Sequence, residues 1–580
     1  MVRKTGIATA ALAAALVQGA AVQGADTPSY DLLIRNGMIY DGSGGAPYAG
    51  DVGIKGDRVV YAGPSRPATA TKIVDANGLA VAPGFVNMLS WATESLLIDG
   101  LGQSDLRQGV TLEVMGEGWS MGPLNDRMKA LAAKQQGDIK YPIEWTTLGE
   151  YLSLLEKRGV AMNVASFVGA TTVRQHELGD DDVDPTPEQL VRMRALVRQA
   201  MEEGALGVGS SLIYPPAAFA ETDELVALTT EAGKCGGSYI SHMRSEGDRL
   251  LESIDELIEI SRRSGAPAEI YHLKQGGRAN WGKLDAAIAK IEAARASGLK
   301  ISADMYTSTA GATGLAASMP PWVQDGGNEA MLKRLKDPAT VERIKREMLL
   351  PGSNWENLYL HAGPEGVLVA SLTDPSLKPL MGKTVAEIAK LRGVTPEQAV
   401  IDLVLADQGR AGAIYFLMSE DNVRKEAALP WVGFGSDGEA SAPEGVFLKS
   451  STHPRSYGNF AKFLGKYVRD EKVTTLADAI RRLTYQPAQN LGLKNRGLLR
   501  PGMTADVVLF DPATIADHAT FAKPMQYATG VRDVFVNGVQ VLKDGVPTGA
   551  KSGRFVKGPG WTGWSDGGAC RNGGKRGGTR

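Results

Sequence analysis

Cysteine is nearly absent from this 580-residue chain, which carries only Cys235 and Cys570. A pair so far apart makes no CxxC metal motif and no disulfide framework of the small secreted kind, so the spacing predicts one buried thiol and one tail thiol. Excess charge is missing too: 63 Lys and Arg face 65 Asp and Glu. Without a basic stripe there is no nucleic-acid footprint, which leaves a neutral small-molecule or peptide-like substrate. Histidine is rare, at six residues, and aromatic residues make up 6% of the chain. Glycine, by contrast, is plentiful at 70 residues, as a fold with many tight loops requires.

The amino terminus reads as a targeting segment. Arg3 and Lys4 precede a short Ala-rich apolar run from Ile7 to Val17, and small residues follow at Gly19, Ala20, Gly24 and Ala25. That pattern predicts a secretory signal peptide over 1–25, cleaved near Ala21 to Ala25. The run is shorter than the ~20 residues a membrane span needs. The mature protein is therefore expected outside the cytoplasm, periplasmic or secreted, and free of the membrane once cleaved.

Two β-rich pieces flank a long middle. Asp31-Leu-Leu-Ile-Arg35, Asn36-Gly37 and Met38-Ile-Tyr40 form a hairpin signal, and Ala505–Phe510 with Val534–Val536 and Asn537-Gly538 repeats it near the other end. Segments 26–80 and 495–558 are expected to pair into one small β-sandwich domain. Between them, 81–494 alternates apolar runs with amphipathic helices such as 187–203, 248–264 and 283–297, the rhythm of βα units. Eight candidate strands occur, at 81–88, 109–116, 161–168, 205–211, 237–242, 268–273, 299–304 and 431–437. Eight is the number that closes a (β/α)8 TIM barrel, an α/β fold. The stretch 305–430 is too long for one unit and reads as an insertion with strand-like runs at Leu358–His361 and Ala413–Phe416. The Gly-rich tail, 559–580, is expected to be disordered.

A barrel enzyme works at the C-terminal ends of its strands. The fifth candidate strand ends in Ser241-His242, the sixth in Tyr271-His272, and the eighth in Gly435-Ser436-Asp437-Gly438. Taken singly, a histidine ending an apolar run is more often a packed core residue, and an Asp before Gly more often a turn residue. Together, two imidazoles and a carboxylate from neighbouring strand tips suit Zn²⁺. Asp437 is then placed to take a proton from an activated water and return it to a leaving amine. His176, His361 and His518 lie in loop or insertion contexts and are expected to be structural.

Several motifs in this order resemble those of the D-aminoacylases (N-acyl-D-amino-acid deacylases) of the amidohydrolase superfamily. They are Asp31-Leu-Leu-Ile-Arg-Asn-Gly37, Ala82-Pro-Gly-Phe85, Gln108-Gly-Val-Thr111, Ser241-His-Met-Arg-Ser-Glu-Gly247, His272-Leu-Lys274, Gly435-Ser-Asp-Gly438, His453-Pro-Arg-Ser-Tyr-Gly458 and Pro501-Gly-Met-Thr-Ala-Asp506. The resemblance runs from about residue 30 to 560. It implies a barrel with a β-sandwich side domain, zinc, and hydrolysis of an N-acyl-D-amino acid. By the same resemblance, His242 and His272 match zinc-binding histidines and Asp437 the catalytic aspartate.

The departures are equally informative. Where the family carries Pro-Gly-Phe-x-Asp-x-His-x-His, this chain has Asn87 for the aspartate and Leu89 and Trp91 for the histidines. Where many relatives carry a cysteine ligand in Gly-Asn-Cys-Gly, Gly118 stands in Gly116-Glu-Gly-Trp-Ser120, with Glu117 beside it. A second metal would have lost both first-strand ligands. One Zn²⁺ ion can keep His242 and His272 and take Glu117 or Asp437 as third ligand, leaving a place for water. Glu117 is equally well read as a loop carboxylate paired with an arginine or capping a helix. Lys274 and Arg455 are candidates to hold a substrate carboxylate, and Tyr214 and Tyr306 to line the pocket or donate to an oxyanion; ion pairing and packing are the competing roles. Trp91 is expected to add an apolar wall and alter substrate preference. Two other readings stay open: a degenerate barrel that binds without hydrolysing, and a hydrolase of a cyclic amide, dipeptide or lactone. Oligomeric state is not legible.

Overall fold

The structure is a computed structural model that describes residues 1–2, 27–352 and 354–571. All but the first two residues of the expected signal peptide, and residues 572–580 of the tail, lie outside the described residues. Among the described residues, no helix is long and apolar enough to cross a membrane.

Every expected barrel strand forms. They are Phe85–Asn87, Val110–Met115, Asn163–Ser166 continuing as Val168–Gly169, Gly207–Ser211, Ser238–His242, Ala268–Ile270, Ile301–Met305 and Val432–Phe434. All neighbouring pairs are parallel. The ring closes where Met88 N donates to Phe434 O at 3.1 Å, joining the first strand to the last. Strands buried on both faces must be almost wholly apolar or internally hydrogen-bonded, and Val110–Met115 is buried at every position.

The helices follow from their ends and faces. Pro187–Glu203 begins in a capping box between Thr186 and Gln189, with Pro187 in the first turn, and stops at left-handed Gly204. Leu250–Ser264 buries Leu250, Ile254, Leu257 and Ile258 along one face and ends at Gly265.

Both chain ends join in one β domain. Ser29–Ile39, Tyr48–Lys55 and Arg58–Gly63 from the front share a continuous nine-stranded sheet with Val507–Phe510, Val531–Val536 and Val539–Lys543 from the back. The seam is Ala80–Pro83, which pairs antiparallel with Val507–Phe510 just before the first barrel strand. The domain core includes Leu32, Ile34, Ile39, Val52, Leu509 and Phe535.

The insertion between the seventh and eighth barrel strands has its own core, including Leu315, Met319, Val369 and Tyr415. Its antiparallel sheet orders Ala310–Gly314, Gly412–Phe416 and Val367–Ser371, with Gly412–Phe416 central. Leu358–Ala362, read above as strand-like, is a helix instead: the Asn357 side chain accepts from Leu360 N and caps it.

Two expectations about the termini are overturned. Cys235 and Cys570 are not separate thiols but a disulfide closing a sequence separation of 335 residues. The tail is ordered through residue 571: Gly568–Arg571 is a short helix, Cys570 is buried, and Arg198 Nη2 donates to Cys570 O at 2.7 Å. Sequence spacing carries no signal for a bridge between a barrel helix end and the chain terminus.

Candidate metal and active site

The second, fifth and sixth barrel strands deliver three donors to one point. Glu117 lies two residues beyond Val110–Met115, His242 ends Ser238–His242, and His272 lies two residues past Ala268–Ile270. Glu117 Oε1 is 3.0 Å from His242 Nδ1 and 2.8 Å from His272 Nε2. Donor atoms of the three residues fall within 4.8 Å of one another. Donors at roughly 2.0–2.1 Å from a tetrahedral zinc sit about 3.3 Å apart, so the set fits such an ion.

Gly118 explains why the carboxylate, not a thiolate, stands here. Its φ is +72°, and a Cβ at that position would lie 2.4 Å from Ser211 Cβ. The cysteine of the family pattern has no room, and Glu117 reaches the imidazoles instead.

A second carboxylate, Glu246, lies behind the rings. Its Oε1 is 2.9 Å from His272 Nδ1, and its Oε2 is 3.5 Å from His242 Nε2, an atom with no hydrogen-bond partner. Lys274 Nζ donates to both Glu246 oxygens, at 2.8 and 2.9 Å, and lies 2.6 Å from His272 Nδ1. Sequence reasoning missed Glu246, although it sits four residues after His242 within a quoted motif. An outer carboxylate on the far ring nitrogen is the usual way to orient a ligating histidine.

The electrostatics support a cation. Burial alone would raise the Glu117 carboxyl, but the charges and hydrogen bonds of His272 and His242 hold it far below the usual carboxylate range. Burial and Lys274 oppose charge on His272, yet Glu246 and Glu117 outweigh them and raise it to about 10. The two ionised carboxylates that favour positive charge on His272 would equally attract a metal ion. His272 also adopts a φ of +35°, an uncommon value for a non-glycine residue, and its N–H donates to Asp304 Oδ1 at 2.8 Å.

Asp437 faces this cluster from the eighth strand, at a φ of +49°. Its N–H donates to Leu89 O at 2.8 Å, and its Oδ2 pairs with Arg455 Nη2 at 2.9 Å. Burial raises its carboxyl above the ordinary value, against the pull of Arg455. Trp91, expected as a plain apolar wall, also donates hydrogen bonds: its Nε1 reaches Glu117 Oε2 at 2.9 Å and Asp437 Oδ1 at 3.1 Å.

The remaining expected residues line the same cavity of about 700 Å³, which the insertion walls with Gly311–Gly314 and Gly412–Tyr415. Arg455 lies over the Tyr306 ring, 4.5 Å from its centroid, and its Nε and Nη1 have no protein partner. Lys274 differs: both Glu246 oxygens already accept its protons, so a substrate carboxylate would have to share it. Tyr214 packs between Trp119 and His242, with centroids 5.9 and 5.3 Å away. Burial pushes Tyr306 up to about 12, keeping its hydroxyl a donor. His453, unassigned from sequence, accepts from Arg455 N at 2.9 Å and braces that residue. His176, His361 and His518 pair elsewhere, with Glu177, Asp248 and Thr529.

Beneath the first strand, Asn87 closes a buried network with two carboxyl groups. Its Nδ2 shares two protons among Asp105 Oδ2 at 2.9 Å, Glu113 Oε2 at 3.0 Å and Ser436 Oγ at 2.8 Å, and its Oδ1 accepts from Ser436 N at 2.8 Å. Burial and the neighbouring Glu113 raise Asp105 well above the ordinary value. Burial likewise lifts Glu113 to about 7, against hydrogen bonds from Ser90, Asp105 and Asn87.

Residues 72–542 match the sequence profile of the Amidohydrolase family. The chain belongs to the amidohydrolase family. Among curated amidohydrolase relatives, D-aminoacylase of Alcaligenes xylosoxydans xylosoxydans is 32% identical over 92% of this chain and 98% of its own length. N-acyl-D-aspartate deacylase of the same organism is 31% identical, over 92% and 96%. A crystal structure of D-aminoacylase superposes with a TM-score of 0.72 at 31% identity, covering 91% of this chain and all of that one. N-acyl-D-glutamate deacylase from Bordetella bronchiseptica, in complex with zinc and a phosphonate mimic of the tetrahedral intermediate, superposes at 0.74 with 28% identity and the same coverage. Another D-aminoacylase structure (TM-score 0.73, 31% identity, 91% of this chain and all of that one) belongs to work on a binuclear centre with one-metal activation and second-metal attenuation.

Proposed function

We propose that this protein hydrolyses the amide bond of N-acyl-D-amino acids at a single Zn²⁺ ion held by Glu117, His242 and His272. The observation that carries this reading is the convergence of Glu117 Oε1 on both imidazoles, with Asp437 and Arg455 facing it across one cavity. The relatives' substrates supply the class of molecule. The loss of both first-strand histidines favours one ion, and a D-aminoacylase activated by one metal is a precedent for it.

When bound, zinc supplies an activated water and polarises the acyl carbonyl. Asp437 accepts the proton of the attacking water and passes it to the amide nitrogen as the C–N bond breaks, so acid and amine leave balanced. Arg455 offers its unpartnered Nε and Nη1 to the substrate carboxylate, and the ring of Tyr306 stacks beneath the guanidinium. Lys274, tied to Glu246, balances the charge behind the imidazoles. The enclosing insertion limits water around the reacting groups.

The test is metal analysis and turnover on protein prepared with zinc. N-acetyl-D-amino acids should be cleaved, their L-forms far less, and zinc should be present at one per chain. Dipeptides and lactones in the same screen separate the alternative substrates. A protein that stays metal-free and inactive under these conditions returns the reading to a binding barrel. Export is part of the proposal: the signal-like segment and the Cys235–Cys570 bridge both suit an oxidising compartment. Fractionation of the native host tests it, with retention in the cytoplasm as the contrary result.

A further inference from the structure

The first and eighth strand ends run side by side beyond the barrel. Trp91 N donates to Gly438 O at 2.9 Å, Ser90 bridges to Gly438, and Asp437 N donates to Leu89 O. These backbone bonds hold the main chain of Trp91 beside that of Asp437, and the indole Nε1 reaches Asp437 Oδ1 at 3.1 Å and Glu117 Oε2 at 2.9 Å. The two carboxylates it touches each present a divided face. Glu117 gives Oε1 to the imidazoles and Oε2 to Trp91, while Asp437 gives Oδ2 to Arg455 and Oδ1 to Trp91.

Two carboxylate oxygens turned toward one point need a positive partner, or they repel. A second metal ion there would need further donors. Leu89 has none, the indole is a donor only, and Asn87 is turned away into the Asp105–Glu113 network. We propose that the Trp91 indole N–H takes the place of a second cation: it links Asp437 to Glu117 through a neutral, two-acceptor bridge, aims Asp437 Oδ1 at the reacting centre, and keeps a second ion out. Trp91 is thus a positioning residue acting through Asp437. The inference rests on Glu117, His242 and His272 forming the metal site.

Trp91→Phe keeps the ring and removes the N–H. Zinc-loaded variant and native protein are compared by zinc content after equilibration with excess zinc and desalting, by kcat and KM, and by turnover across a rising zinc series. The native protein should hold one zinc and resist excess zinc. Trp91→Phe should lose about tenfold or more in kcat, as expected for a lost hydrogen bond to a charged group, with KM nearly unchanged and inhibition by excess zinc appearing. Leu89→His/Trp91→His should raise the content to two per chain; if that double variant does not fold, Trp91→Phe decides alone. Native protein taking two zinc ions, or Trp91→Phe keeping native kcat and zinc tolerance, overturns the proposal. A native protein with no zinc and no turnover would instead sink the underlying metal reading, so the two failures are distinct.

Discussion

The two sides of the barrel mouth solve the same problem differently. On the side of strands five and six, charge is kept: His242, His272, Glu117, Glu246 and Lys274 form one buried cluster of paired opposite charges, with only His242 Nε2 left without a hydrogen-bond partner. On the side of strands one and eight, neutral donors meet the carboxyl groups, Trp91 above and Asn87 below, and Arg455 is the one charged partner of Asp437. The comparison teaches that buried carboxyl groups can be met either by opposite charge or by neutral N–H donors at the same barrel mouth.

That contrast can be broken or sharpened in four ways. His272→Ala attacks the charged side. Zinc should be lost and kcat/KM should fall at least about a thousandfold, more than the roughly 10–100-fold carried by outer partners; metal content and steady-state kinetics read it, and an active, zinc-bearing variant would dissolve the contrast. Asn87→Asp attacks the neutral side by putting a third carboxyl against Asp105 and Glu113. Denaturant unfolding should show a loss of about 3–5 kcal/mol, the scale of an uncompensated buried charge, and an unchanged midpoint would mean the network does not depend on the amide donor.

Arg455→Ala probes where the sides meet. KM for an N-acyl-D-amino acid should rise roughly tenfold to a hundredfold, the scale of charge-assisted hydrogen bonds, and Arg455→Lys should recover only part of this because the fork is gone. An unmoved KM would remove Arg455 from carboxylate recognition. The smallest effect is the pH dependence of Glu113→Gln. Glu113 has a raised value in the folded state, near 7, so its contribution is fully present below the ordinary value of 4.5 and is lost as pH rises through about 7. Thermal melts of the native protein against the variant should therefore converge at low pH and separate in the variant's favour toward alkaline pH; parallel curves would count against a buried proton there.

Much of the barrel was legible because its strands are short apolar runs bounded by turn residues, and the placement of His242, His272 and Asp437 followed from where those runs stop. What escaped reading depended on return contacts rather than local pattern. Glu246 lies beyond its strand and folds back beneath the rings. Trp91 looked like bulk because an indole's hydrogen-bonding role depends on which acceptors surround it. Leu358–Ala362 has the composition of a strand, and Asn357 turns it into a helix. The cysteine pair was misjudged because distance along the chain says nothing about distance in space.

That bridge makes most of the molecule a covalent ring. Residues 235 to 570 enclose the fifth to eighth barrel strands, the insertion, His242, His272, Asp437 and Arg455. A protease that nicks any single bond within this stretch severs the backbone without separating the pieces. On a gel, such clipped protein would migrate as one species until a thiol reductant divided it in two.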